Sequence, residues 1–243
     1  MKKVFLFLGS FVALLFAACC SSNISATDDS SDFVEVAEVI PDVILEVRYY
    51  TTYNFIGTRI DGYNQPKVLL TRQATDSLRV VSDELMAKGY RLKLYDGYRP
   101  QCAVDHFVRW GKEIADTAMR SYFYPNVDKR DLFKLDYIAT RSGHSRGSTI
   151  DLTLFDMNTG KDVDMGGTFD WFGDESHPDC GGNPVTGEYR PNDTITAEQF
   201  AARMLLRNAM LSHGFKPYDC EWWHFTLINE PYPDTYFTFT ISK

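Results

Sequence analysis

Two short stretches of this 243-residue chain carry the residue types that metal-assisted hydrolysis requires. One is Ser142-Gly143-His144-Ser145-Arg146-Gly147, followed seven positions after His144 by Asp151; the other is Glu221-Trp222-Trp223-His224. A catalytic zinc ion takes about three nitrogen or oxygen ligands and keeps one position open for a water, whose pKa falls to about 7. His144, Asp151 and His224 can supply three such ligands, and Glu221 a carboxylate that moves the water's proton. Each residue alone has a plainer reading, Asp151 as a solvent-facing acid and His224 as a hydrogen-bonded core histidine beside two tryptophans. Both spacings are odd, which in a straight strand points side chains to opposite faces. Gly143 and Gly147 allow the chain to turn back between His144 and Asp151. Between Glu221 and His224 the backbone must bulge or coil, a common device beside active sites.

The elements that must hold these groups are readable from periodicity. Ala74, Leu78, Val81 and Leu85 form one stripe of a helix expected from Thr71 to Lys88, with Gly89 as its stop. Tyr90 to Tyr95 alternates like a half-buried strand and runs into Asp96-Gly97-Tyr98-Arg99-Pro100, a turn that presents Arg99 at the strand end. A second helix is expected from Gln101 to about Met119. From Thr149 to Leu154 the period is two, so Ile150, Leu152 and Leu154 face one way while Asp151 and Thr153 face the other. Asn158-Thr159-Gly160 reads as a hairpin turn, and Thr196 with Gln199 as a capping box for a helix that reaches His213 and stops at Gly214. A last strand region is expected from Phe215 through Leu227.

Strands and helices mix without a repeating strand-helix-strand rhythm. That predicts an α+β fold, a mainly antiparallel central sheet flanked by helices. No repeat and no Pro- or Gly-rich linker divides residues 33–243, so a single domain is expected there. Residues 165–193 form a long segment of weak periodicity whose Phe169, Trp171 and Phe172 predict packing, as a wall or lid over a site.

The N-terminus reads as an export signal over residues 1–18: Lys2 and Lys3, the apolar run from Val4 to Phe16, then Ala17 and Ala18. The run is shorter than the ~20 residues that span a bilayer. Phe16-Ala17-Ala18-Cys19 resembles a bacterial lipoprotein processing site, with Cys19 as the acylated residue, Cys20 as the next candidate and a plain cleaved signal as the alternative. Residues 19–32 then form a lipidated terminus and flexible tether, which implies the bacterial cell envelope and contact with a membrane. Net charge is −8, a surface that repels phosphate backbones and argues against nucleic acid as partner. No obligate protein partner is indicated. Cys102, Cys180 and Cys220 leave one thiol over if two pair. Cys220, beside Glu221, lacks the third group a nucleophile needs.

Ser142-x-His144-x-x-Gly147-x-x-x-Asp151 together with Glu221-x-x-His224 resembles the signature of the zinc DD-peptidases that share a fold with hedgehog signalling domains. Within that group, Asp96-Gly97-Tyr98-Arg99-Pro100, Ser142 to Leu154 and Glu221 to His224 are most similar to the D-Ala-D-Ala dipeptidases known from vancomycin resistance. The resemblance covers about residues 34–230. It implies one Zn2+ bound by His144, Asp151 and His224, Glu221 as general base and acid, and Arg99 on the oxyanion, a role that acyl chemistry also requires. It implies that Ser142 touches the substrate, although a turn role fits that residue equally. It further implies a small D-amino-acid dipeptide as substrate, with Asp170 facing its free ammonium; Asp164 and Asp174 are near enough in sequence to do this instead. A zinc DD-carboxypeptidase or endopeptidase trimming wall peptides is the enzymatic alternative, and a zinc-stabilised binding domain without turnover the non-enzymatic one. The resistance enzymes are cytoplasmic, whereas this chain carries an export signal, so a part in peptidoglycan turnover is expected rather than antibiotic resistance.

Overall fold

The computed structural model describes residues 24–191 and 194–242; the export signal and Cys19 lie outside the described residues. The central sheet runs in the order Phe215–Tyr218, Glu221–Leu227, Thr149–Asp156, Tyr90–Asp96, Ile44–Leu45, with Lys161–Asp162 pairing on the far half of Thr149–Asp156. All these pairings are antiparallel except that of Ile44–Leu45 with Tyr90–Asp96. Helices Arg72–Ala87 and Ala197–Ser212 pack against the sheet and against each other, giving the expected α+β architecture.

Local signals account for most boundaries. Thr71 caps the first long helix by accepting from the Ala74 amide, and its Ala74, Leu78, Val81 and Leu85 stripe is fully buried. The Thr196–Gln199 capping box starts the last helix, and Gly214, at φ 84°, follows its end. Strand Thr149–Asp156 is buried on both faces through its first six residues, so Asp151 is not the solvent-facing acid of the plainer reading.

Three expectations are corrected, and the cysteine pairing left open by the sequence is answered. The second helix ends at Lys112 rather than near Met119, because the Lys129 ammonium takes the Glu113 and Asp116 carbonyls at 2.7 and 2.6 Å and holds the chain in turns there. The last strand region is two strands, Phe215–Tyr218 and Glu221–Leu227, folded into a hairpin. Residues 25–27, within the expected tether, form a strand parallel to Thr235–Phe237, with the Ser25 amide donating to Asp234 O and the Thr238 amide to Thr27 O. None of Cys102, Cys180 and Cys220 pairs; all three are free thiols.

Gly147 is the glycine on which the site's geometry depends most. Its φ is 79°, its carbonyl accepts from the Thr71 amide at 2.8 Å, and a Cβ there would lie 2.3 Å from the Phe33 ring. A left-handed L-residue and forced overpacking together cost about 2–4 kcal/mol. Gly147→Ala is therefore expected to lower unfolding free energy by about that amount in urea titration, and an unchanged midpoint would show that the Phe33 ring yields freely. Gly143, by contrast, sits inside the short helical turn Gly143–Arg146 and has no left-handed φ.

Candidate active site

His144, Asp151 and His224 come together although they lie on three elements. His144 is in the helical turn Gly143–Arg146, which Ser142 caps by accepting from the His144 amide at 3.3 Å. Asp151 and His224 are directly opposed partners on neighbouring central strands. The register jumps between Pro217 and Tyr218, whose partners are Phe225 and Glu221, so three extra residues are taken up on the Glu221–Leu227 strand. This irregularity turns Glu221 toward His224 despite their odd spacing, with Oε2 3.2 Å from Nδ1.

The ligand-type atoms of the three residues all lie within 4.8 Å of one another. His144 Nδ1 is 2.7 Å from the Gly97 carbonyl, which can only accept, so that nitrogen carries the proton and Nε2 turns its lone pair inward. Nε2 is 3.2 Å from Asp151 Oδ2 and 3.3 Å from His224 Nδ1; Asp151 Oδ1 is buried and lies 3.2 Å from His224 Nδ1 without a well-aligned hydrogen bond. Two imidazole nitrogens and a buried carboxylate, all converging on one point, form a donor set suited to a metal ion. Electrostatics agree. Burial alone would raise the Asp151 carboxyl, but the His144 and His224 rings outweigh it and hold the group well below its ordinary range. Burial lowers His224, yet Asp151 and Glu221 overcome it and push its pKa up to about 9. His224 is thus drawn toward its cationic form by two neighbouring carboxylates, a place where a bound cation would also be favoured.

Arg99 stands behind this cluster. Its Nε and one terminal nitrogen bind Asp96 Oδ2 at 2.9 and 2.8 Å, the latter nitrogen also lies 3.7 Å from Asp151, and the other reaches Ser142 Oγ at 3.4 Å. Asp96, which the sequence marks only as part of a turn, is a buried hub. Its Oδ1 accepts from the Tyr63 hydroxyl at 2.6 Å, and its Oδ2 lies 3.6 Å from His144 Nδ1. Ser142 caps the turn, as its turn reading has it, and its side chain also lines the cavity.

The cavity holds about 340 Å³, at the small end of the ~300–1,000 Å³ usual for ligand sites, and the cluster, Arg99, Ser142, Glu221 and Asp170 all line it. Asp170 has φ 61°, is buried, and accepts from the Tyr49 hydroxyl at 3.1 Å through Oδ1, while Oδ2 has no partner. Burial, reinforced by Asp151, raises its pKa well above the ordinary carboxyl value. Asp164 is instead tied to Gln199 and the Gly166 amide, and Asp174 lines only the adjoining, smaller cavity, which Asp170 also borders. The segment expected as a lid divides: Asp170 and Phe172 do form a wall, whereas Cys180 and Tyr189 pack on Ile195, Phe200 and Met204. Tyr49 was missed, since nothing local marks a tyrosine whose partner is 121 residues away. The three remaining histidines stay outside the cluster, His213 on Glu84, His106 beside Asp61 and His177 in the smaller, adjoining cavity.

Comparison with known proteins places the chain in a family. The profile described as D-ala-D-ala dipeptidase, peptidase M15, matches residues 29–242. A D-alanyl-D-alanine dipeptidase of Enterococcus faecalis is 40% identical over 210 residues, 86% of this chain and 98% of the relative. Its namesake in Streptomyces coelicolor is 39% identical over 88% of this chain and 100% of its own length, and that of Enterococcus faecium 35% identical over 86% and 98%. With a matching profile across nearly the whole described chain and three relatives at such identity, this protein belongs to the D-Ala-D-Ala dipeptidase (M15) family of peptidases.

Proposed function

We propose that the protein is a zinc-dependent dipeptidase that hydrolyses D-Ala-D-Ala or a closely related small D-amino-acid dipeptide, and that it does so in the cell envelope. The observation that carries this reading is the convergence of His144, Asp151 and His224 beside Glu221 in a small cavity, with the unpartnered oxygen of Asp170 in the same wall. His144 Nε2, Asp151 and His224 Nδ1 would hold the zinc ion, which supplies an acidified water and polarises the scissile carbonyl.

The chain's own groups do the rest. Glu221 Oε2 takes the proton of the attacking water and passes it to the leaving amine. Arg99, kept in place by Asp96 and Ser142, offers N–H donors where negative charge grows on the scissile oxygen. Asp170, steadied by Tyr49, receives the substrate's ammonium, and this cation supplies the charge that keeps the buried carboxylate ionised. The sequence from Lys2 to Cys19 supports export and lipid anchoring, and hence a role in peptidoglycan turnover.

The test is release of free D-alanine by the zinc-loaded protein from D-Ala-D-Ala and from its N-acetyl derivative. Turnover of the free dipeptide alone is expected, because acetylation removes the cation that Asp170 reads. Equal cleavage of both would make the protein a carboxypeptidase, and cleavage of neither would sink the reading.

A further inference from the structure

The substrate proposed above is a zwitterion, and an ammonium site at one end of the cavity poses the question of what receives the carboxylate at the other. The cavity has a chemical polarity. Asp136, Asp170 and Glu221 also border the adjoining cavity of about 180 Å³, whereas Arg141, Ser142, Gly143, Arg146 and Thr226 line the main cavity only. Three of the four acids of the main cavity, all but Asp151, therefore lie on the side next to the second cavity, and the cations Arg141 and Arg146 on the side away from it.

Three arginines line the main cavity, and two are already neutralised. Arg99 is engaged by Asp96 and faces Asp151. Arg146 forms a two-pronged pair with Glu230 at 2.8 and 2.9 Å. Arg141 has no acidic partner among the described residues; it is exposed, and its guanidinium lies 5.7 Å from the Tyr236 ring centroid, a ring that Arg146 also approaches at 5.8 Å. Stacking on an aromatic face orients a guanidinium while leaving its N–H edge free for a carboxylate.

We propose that Arg141 is a specificity residue of this site, receiving the free C-terminal carboxylate of the substrate at the cavity rim. The assignment rests on the dipeptidase reading. It explains how a site could be selective for a peptide with both ends unblocked, with Asp170 reading one charge and Arg141 the other.

The test compares D-Ala-D-Ala with D-alanyl-D-alaninamide, in which the carboxylate is a neutral amide, on the zinc-loaded protein and on Arg141→Ala and Arg141→Lys. The unmodified protein is expected to favour the acid in kcat/KM by about tenfold or more, the size of one charge-assisted hydrogen bond. Arg141→Ala should bring that ratio toward one through a higher KM for the acid with kcat retained, and Arg141→Lys should keep part of it. An unchanged ratio in Arg141→Ala, or an equal fall of kcat on both compounds, would overturn the assignment. If the unmodified protein cleaves both compounds equally, hydrolysis stands and the role of Arg141 falls; if it cleaves neither, the dipeptidase reading itself falls.

Discussion

Glu221→Gln is expected to lower kcat on D-Ala-D-Ala by about 10²–10⁴, the usual contribution of a positioned general base. Glutamine keeps the size and one acceptor oxygen of the side chain but cannot take a proton. Glu221 is not one of the three clustered ligand-type residues, and its side chain is 34% exposed, so neither zinc content nor folding should change much. The decisive measurement is kcat beside metal content in one preparation. A large loss of rate with one equivalent of zinc retained supports the proton-shuttle role. Parallel loss of metal and rate would make Glu221 a ligand instead, and near-normal turnover would remove it from the mechanism.

Arg99→Ala should cost about 10²–10³ in kcat through loss of the donor to the developing oxyanion. It should also destabilise the fold by about 3–5 kcal/mol, because Asp96 would be left as a buried carboxylate without its partner. Burial already raises the Asp96 pKa, with Arg99 as the main opposing influence. The two effects can be separated. A variant combining Arg99→Met with Asp96→Asn removes both charges and should recover most of the stability while leaving catalysis impaired. Activity that returned along with stability would show that Arg99 acts as a structural counter-charge and not on the scissile oxygen.

The sequence exposed its chemistry more readily than its supports. His144, Asp151, Glu221 and His224 were legible because ligand chemistry restricts residue types, and because the odd spacings demanded a turn and a bulge that the fold contains. The capping residues and buried stripes of the two long helices were legible for a similar reason, being local patterns. Asp96 and Tyr49 were not. Their roles come from contacts with Tyr63, His144 and Asp170, set by sheet register and loop packing that no short window encodes. The end of the second helix was misplaced for the same cause, since Lys129, distant in sequence, claims the carbonyls that would have continued it.

The direct opposition of Asp151 and His224 across the sheet has a consequence in time as well as in space. Both sit on central strands, so drawing their backbones apart requires breaking the ladder between them, the kind of opening that in core strands lies at the high end of local unfolding free energies. Asp170 lies in a loop outside that ladder. The wall that carries Asp170 can therefore shift without breaking the ladder, while the strands that carry Asp151 and His224 keep their separation for as long as the sheet stays closed.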